Sequence, residues 1–469
     1  MAFDRVSRTG MSLLTCMLML LACYSLIPAH PAFAASLVNI NGATTYQTID
    51  GFGFSEAFGR AASMNQAPPA VQKQMLDLLF SPTTGAGFTI LRNIINSNSA
   101  SIEPNSPGSP TAPPQYAWDG SDSSQVWLSQ QAQRYGVRRF FADAWSAPGY
   151  MKTSGTENNG GTLCGVPDAS CSSGDWRQAY ANYLVKYIQD YRSVGIHITN
   201  IDFVNEPNLS PSYSSMVMSG AQLADFAKVL GPKLAASHSD TQLTCCDAVG
   251  WNLAVDYTSA INSDPLARHY VQVISSHGYS APPNTPLATS RHTWQTEWAD
   301  FNPWNPAWDD GSAASGFTWA QRIYTGLTAG NISAFLHWWG VNTSNTNSGL
   351  LHLNGNTVEV SSRFWAFANY SRFIRPGAIR IAATTADNNL EVSAFRNING
   401  STAIVVLNTA STDIPASFNL QHTFGFFAVP YLTNATNNTA RQQPIFLHGR
   451  TLSATIPARS LVTYQIDGF

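Results

Sequence analysis

The sequence predicts an α/β fold, a (β/α)8 TIM barrel carrying an antiparallel β-sandwich side domain. Three observations predict it. From Gly51 to about residue 376, short apolar runs alternate with stretches of helical spacing, the pattern of repeated βα units around a parallel sheet. From about Ile379 the texture changes to strict apolar-polar alternation broken by Asn-Gly and Asn-Asn turns, which reads as a sandwich. Glu206 and Glu297 each follow an apolar run and lie 91 positions apart (297 − 206). At roughly 30 residues per βα unit, that separation is about three units and places them after strands four and seven, whose ends share one face of a barrel.

In chain order, residues 1–34 hold Arg5 and Arg8, an apolar stretch from Leu13 to Ile27, and Ala32-Phe33-Ala34. This is the pattern of a secretory signal peptide cleaved after Ala34 or nearby, and it predicts an extracellular protein. A membrane anchor would instead need about 20 apolar residues without a cleavage motif. Residues 35–50 contain two strand-like pieces, Leu37-Val38-Asn39-Ile40 and Thr45-Tyr46-Gln47-Thr48-Ile49, separated by the hairpin signal Asn41-Gly42. Residues 51–376 form the expected barrel, with strands at 88–91, 140–142, 198–204, 242–245, 271–274, 293–296 and 334–337. Residues 176–194 and 222–234 are amphipathic at helical spacing, and the Pro, Ser and Gly cluster at 104–114 is a loop after the second strand. Residues 377–469 supply the side domain, with strands at 390–395, 402–407 and 461–466.

Charged residues make up only 11% of the chain and the net charge is −3, a balance that attracts neither nucleic acid nor an anionic membrane. It suits neutral or mildly acidic polysaccharide. Of six cysteines, Cys16 and Cys23 fall in the leader, leaving Cys164, Cys171, Cys245 and Cys246. Export favours disulfides and four cysteines allow three pairings; Cys164–Cys171, closing a short Gly-rich loop, is the preferred one. Adjacent Cys245 and Cys246 are either a vicinal disulfide or two buried thiols. Zinc-type Cys/His spacing is absent, as is a Gly-rich phosphate loop, so no metal and no cofactor is expected. Seven acceptor sequons, at Asn208, Asn331, Asn342, Asn369, Asn399, Asn434 and Asn437, fit a secreted glycoprotein.

The two glutamates point to cleavage of a glycosidic bond. With retention of configuration, one carboxyl protonates the leaving oxygen while another, roughly 5–5.5 Å away, attacks the anomeric carbon. Tryptophans at expected strand ends add to this, because sugar C–H groups stack on aromatic faces: Trp145, Trp298 and the pair Trp338-Trp339. Strand alternation sends one member of each adjacent pair into the wall, so Trp145 and Trp338 are expected in the cleft. Arg92, ending the second strand, is the candidate cation beside Glu297, and Tyr279, after the sixth, a candidate hydroxyl donor to it. His337 reads as a core histidine.

Four ordered segments, Asp50-Gly51-Phe52-Gly53-Phe54-Ser55-Glu56-Ala57-Phe58, Trp145-Ser146-Ala147-Pro148-Gly149-Tyr150-Met151-Lys152, Phe203-Val204-Asn205-Glu206-Pro207 and Thr296-Glu297-Trp298, resemble glycoside hydrolase family 30, notably its fungal members. The likeness runs from about Ile40 to the C-terminus. It implies Glu206 as general acid/base, Glu297 as nucleophile, and Asn205 as the residue bonding the sugar 2-hydroxyl. It also implies a side domain that recruits strands from both chain ends. Arg60, in the loop after the first barrel strand, would read a glucuronic acid branch, and Asn93, Trp298 and Lys152 would be further sugar contacts. The implied partner is a plant cell-wall polysaccharide cut by a monomer: xylan first, by an endo-xylanase or glucuronoxylanase or by an enzyme releasing xylobiose from a chain end, with β-1,6-galactan second and β-1,6-glucan third; the rival from another class is a non-catalytic carbohydrate-binding protein on the same fold.

Overall fold

The computed structural model describes residues 35–467; the expected leader, with Cys16 and Cys23, lies outside them. Strand β1 (Ser36–Thr48) comes first. Eight strands then close a parallel barrel: β2 (Gly51–Ser55), β3 (Ile90–Ile95), β4 (Arg139–Ala144), β5 (Asn200–Asp202), β6 (Gln242–Ala248), β7 (Val271–His277), β8 (His292–Glu297) and β9 (Ala334–Asn342), with β9 pairing both β2 and β8. Their near-continuous burial is what a sheet covered on both faces requires. Outside pack α1 (Arg60–Gln66), α2 (Pro69–Phe80), α3 (Gln125–Arg134), α4 (Arg177–Ser193), α5 (Gly220–Ala236), α6 (Trp251–Ser263), α7 (Pro265–Tyr270) and α8 (Gly316–Thr328). Helix α5 starts at a capping box in which Ser219 and Gln222 satisfy each other's backbone N–H.

Alternation along the strands builds the barrel interior in layers. Ile90, Phe141, Val273, Trp294, Ala334 and Leu336 form an apolar floor of buried side chains. Two residues further along their strands come Arg92, Asp143 and Thr296, all buried. Trp145 and Trp338 cap this polar layer together with Ala57, Ile94 and Ala299. The charged layer is thus sealed below by hydrocarbon and above by indole rings.

Beyond the barrel, β10 (Gly349–Asn354) and β11 (Thr357–Val360) extend its sheet, and α9 (Ser362–Ser371) leads into the side domain. That domain comprises β12 (Ile379–Thr385), β13 (Leu390–Arg396), β14 (Thr402–Asn408), β15 (Ile414–Gln421), β16 (Phe427–Thr433), β17 (Ala440–Arg441), β18 (Ile445–Phe446), β19 (Thr451–Ile456) and β20 (Leu461–Ile466). Its curled sheet runs β17-β16-β20-β14-β13-β12-β1-β15-β19.

The expected N-terminal hairpin is not formed. Strand β1 is continuous, antiparallel to β12 and parallel to β15. Asn41-Gly42 marks a register shift against β12 instead of a turn, and Gly42 passes so close to His422 that a Cβ would meet its carbonyl oxygen at 2.3 Å. With two partner strands already on its flanks, β1 has no free edge for folding back on itself. The fourth barrel strand is shorter than expected, Asn200–Asp202 in place of 198–204. Cys164 and Cys171 are joined with Cα atoms 5.5 Å apart, and Cys245 and Cys246 are also linked. Two sequons are closed to modification in this fold, since the amides of Asn342 and Asn369 are buried and hydrogen-bonded. Among the described residues no helix is long and apolar enough to cross a membrane.

Because β1 contributes fully buried Val38 and Ile40 to the middle of the side-domain core, deleting residues 36–48 should split that sheet. We expect the shortened chain to lose its cooperative thermal transition, measured by calorimetry; an unchanged melt would contradict this placement.

Candidate active site

Arg92 organises the mouth of the barrel. Its side chain is 0% exposed. Nη1 donates to Glu297 Oε2 at 2.5 Å, while Nη2 donates to Asp143 Oδ2 at 2.6 Å, Asn205 Oδ1 at 2.7 Å and Asp247 Oδ2 at 2.9 Å. The guanidinium lies 4.5 Å from the centroid of Trp145 on one side and 5.7 Å from that of Phe141 on another, contacts that favour a desolvated cation. Burial opposes the charge, but Asp143, Asp247 and Glu297 outweigh it and hold the guanidinium more basic than usual. Two groups, Glu206–His277–Glu297 and Asp143–Asp202–Asp247, have metal-like spacing. Arg92 contacts members of both and supplies the positive charge that such clusters need.

Glu206 sits just past β5, in the left-handed region at φ 46°, where its backbone N–H donates to the Asp247 carbonyl at 2.9 Å. His277 Nδ1 lies 3.0 Å from Glu206 Oε1, and Nε2 lies 3.7 Å from Asp247 Oδ2. Burial alone would drive this imidazole neutral, yet Glu297, Asp247 and Glu206 around it push it up to about 10. It is therefore an imidazolium at neutral pH, donating from Nδ1. The Tyr279 hydroxyl donates to Glu297 Oε1 at 2.7 Å. A carboxylate oxygen of Glu206 and one of Glu297 lie within 4.8 Å of each other. Burial pushes Asp143 and Asp202 well above the usual carboxylate range, whereas Asp247, although buried, is held below it by Arg92 and His277.

Above the carboxylates is a cavity of about 410 Å³ lined by Phe58, Trp145, Leu209, Tyr213, Tyr279, Phe301, Trp338 and Trp339 as well as Glu206 and Glu297. It therefore brings together Trp145, Trp338, Tyr279 and both glutamates. Asn205 sits beneath, its amide oxygen accepting from Arg92, and among the described residues its Nδ2 has no hydrogen-bond acceptor. Four expected sugar contacts are elsewhere. Asn93 points outward from β3 and donates to Ser129 of α3 at 3.1 Å, because alternation gives the inward position to Arg92. Trp298, next to inward Glu297, faces the wall, with its ring 5.6 Å from Trp319 and 4.3 Å from the Arg322 guanidinium of α8. Lys152 is buried and donates to Ser146 Oγ at 2.8 Å and the Ser215 carbonyl at 2.6 Å. Arg60 begins α1 and stacks 4.2 Å over Trp339 without lining the cavity.

Trp339 was expected in the wall, yet both indoles of the Trp338-Trp339 pair reach the cavity. The cause is a bulge: opposite β2, Phe54 pairs His337 but Ser55 pairs Trp339, so one extra residue re-aims the strand end. Similar irregularities interrupt β6 between Cys245 and Ala248 and β8 after Gln295. The latter lets Thr296 donate inward to Asp247 Oδ1 at 2.5 Å while its neighbour Glu297 also faces inward. Sequence reading missed His277, Asp247, Asp143, Phe58 and Tyr213. His277 had a signal, since it lies two residues before Tyr279 at the end of an apolar run.

Replacing Arg92 by Met should cost about 3–5 kcal/mol in denaturant melts, because it leaves buried acidic groups uncompensated. For His277, the folded value of about 10 exceeds the ordinary 6.5, so its stabilisation is complete below pH 6.5 and is lost as pH rises through 10. The stability gap between the parent protein and His277→Gln should accordingly shrink from pH 6.5 to pH 10; a constant gap would show that the ring is not charged.

Comparison with known proteins shows the family. The glycosyl hydrolase family 30 TIM-barrel domain matches residues 49–299, and the glycosyl hydrolase family 30 beta sandwich domain matches residues 377–464. The chain is similar to the catalytic domain of xylanase C from Talaromyces cellulolyticus, with 44% identity, TM-score 0.88, and 92% of this chain and 99% of that one covered. It is also similar to the family 30 subfamily 8 xylanase Xyn30A of Clostridium acetobutylicum, with 25% identity, TM-score 0.74, and 92% and 99% covered. Endo-1,6-beta-D-glucanase neg1 of Aspergillus fumigatus is 24% identical over 400 residues, 78% of this chain and 80% of that protein. With one family model matching the barrel that holds both glutamates and another matching the sheet beside it, the chain belongs to glycosyl hydrolase family 30.

Proposed function

We propose that this glycoside hydrolase cleaves β-1,4-linked xylan outside the cell with retention of configuration, Glu297 acting as nucleophile and Glu206 as general acid/base. The observation that carries the mechanism is the approach of the two carboxylates, with oxygens within 4.8 Å of each other. So close an approach is in keeping with the roughly 5–5.5 Å of a retaining pair and favours it over an inverting pair set about 6.5–9.5 Å apart. Glu297 receives a hydrogen bond from Arg92 on Oε2 and one from Tyr279 on Oε1, which together fix the orientation of its carboxyl group. His277 Nδ1, 3.0 Å from Glu206 Oε1, holds that carboxyl in place.

In the first step Glu297 attacks the anomeric carbon while Glu206 protonates the departing glycosidic oxygen. In the second, Glu206 takes a proton from water as that water displaces Glu297. Asn205, whose Nδ2 has no acceptor among the described residues, is positioned for a sugar hydroxyl. Xylan is the first substrate because the 44% identical relative is a xylanase. β-1,6-Glucan is the second reading, favoured over β-1,6-galactan by the similarity to a fungal endo-1,6-beta-D-glucanase. Export rests on the leader-like sequence of residues 1–34.

Glu206→Ala should retain a large share of its kcat/KM on an aryl xyloside with a good leaving group, whose departure needs no proton, while its kcat falls for want of a base in the second step and kcat/KM on xylan falls by several orders of magnitude; Glu297→Gln should lose both. Equal losses for Glu206→Ala on the two substrates would reassign the acid. If Arg60 reads a glucuronic acid branch, Arg60→Ala should depress hydrolysis of glucuronoxylan far more than of unbranched xylan; equal losses would remove that role.

A further inference from the structure

Phe58 stands in the mouth of the cavity at φ 56° and is 41% exposed. A bulky side chain rarely adopts the left-handed region, and such residues cluster at clamps and active sites. The ring it presents touches groups from three other places on the rim. Its centroid is 5.4 Å from that of Trp145, 6.1 Å from that of Trp338 and 6.4 Å from that of Tyr213, each in an edge-to-face arrangement. Phe58 follows the first barrel strand and Tyr213 follows the fourth, so their contact crosses the barrel mouth.

The wall that Phe58 meets is anchored. Ser214, next to Tyr213, bonds Ser97 through the hydroxyls at 2.8 Å and pairs with Asn158 as an isolated bridge. Ser215 donates its N–H to the Glu157 carbonyl at 2.9 Å, and its own carbonyl accepts from buried Lys152 at 2.6 Å. These ties lace the loops after β3, β4 and β5 together, and the Cys164–Cys171 disulfide closes the second of them. On the opposite rim the surface differs. Phe301, 58% exposed, stacks on Tyr279 with centroids 5.7 Å apart, an aromatic shelf continuous with the cavity and not bridged by Phe58.

We infer that the Phe58–Tyr213 contact is a barrier closing one end of the cleft, so that the enzyme takes a chain end against it and releases short fragments of one length. The inference rests on the hydrolase reading above and adds the mode of attack to it. The polymer enters over Phe301, its terminal units abut the aromatic barrier, and the bond above Glu206 and Glu297 is cut at a fixed distance from the end.

The test follows product length with time on long unbranched xylan, and on β-1,6-glucan, for the parent enzyme, Phe58→Ala, Tyr213→Ala and Tyr213→Phe. The parent should yield one short product from the earliest time while the remaining polymer keeps its length. Either alanine variant opens the barrier from its own rim and should lose the single-length pattern, giving a ladder and a shortening polymer. Tyr213→Phe keeps the ring and should keep the pattern. A ladder from the parent enzyme, or a single-length product from both alanine variants, would overturn the barrier while leaving the hydrolase reading intact. Absence of hydrolysis on both polymers would overturn that reading and the barrier with it.

Discussion

A buried guanidinium holds the C-terminal face of this barrel together. Arg92 reaches four strand ends at once, through Asp143, Asn205, Asp247 and Glu297, and no shorter or less branched cation could do so. The same contacts explain why so many acidic groups tolerate burial together. A carboxylate removed from water without a partner neutralises or destabilises the fold. Here burial pushes Asp143 and Asp202 well above the usual carboxylate range, with Arg92 pulling Asp143 back, whereas Arg92 and His277 hold Asp247 below it. The indole of Trp145 over the guanidinium and the Phe141 ring on another side exclude water from the charges, which strengthens each interaction.

The local chain geometry serves that assembly. Asp247 lies in the left-handed region at φ 44°, within the irregular stretch of β6, and offers its carbonyl to the Glu206 N–H as its side chain turns to Arg92 and Thr296. The general-acid candidate is thus held by a backbone contact from the neighbouring strand, since β5 itself ends at Asp202. Bulges at the ends of β6, β8 and β9 concentrate inward-facing residues where a regular strand would alternate them.

Those bulges also mark where sequence reading ends. Apolar runs and their spacing were sufficient for the barrel, for the strand numbers of Glu206 and Glu297, and for Arg92 as a neighbour of Glu297, because each rests on regular periodicity; Tyr279, two residues past its strand, followed from its place at that strand's end. The same alternation explains the mistakes at Asn93 and Trp298, whose side chains follow the pleat outward while their neighbours Arg92 and Glu297 take the interior. Trp339 deceived in the opposite sense, since only the bulge brings it into the cavity. Asn41-Gly42 carried a turn signal that lost to pairing with two strands distant in sequence. Asp143 and Asp247 were invisible because an acidic residue inside a buried strand has meaning only once its cation is known to be opposite. Phe58 and Tyr213 lie on loops, where periodicity says nothing of direction.

The central claim is that the closely set pair Glu206 and Glu297 performs a double displacement. The most direct test is the anomeric configuration of the first product, followed by proton NMR during hydrolysis of a β-xyloside before mutarotation equilibrates it. The β-anomer should appear first and the α-anomer later, as two successive inversions at one carbon require. Initial appearance of the α-anomer would contradict a nucleophilic Glu297 and make the pair an acid and a base acting through water.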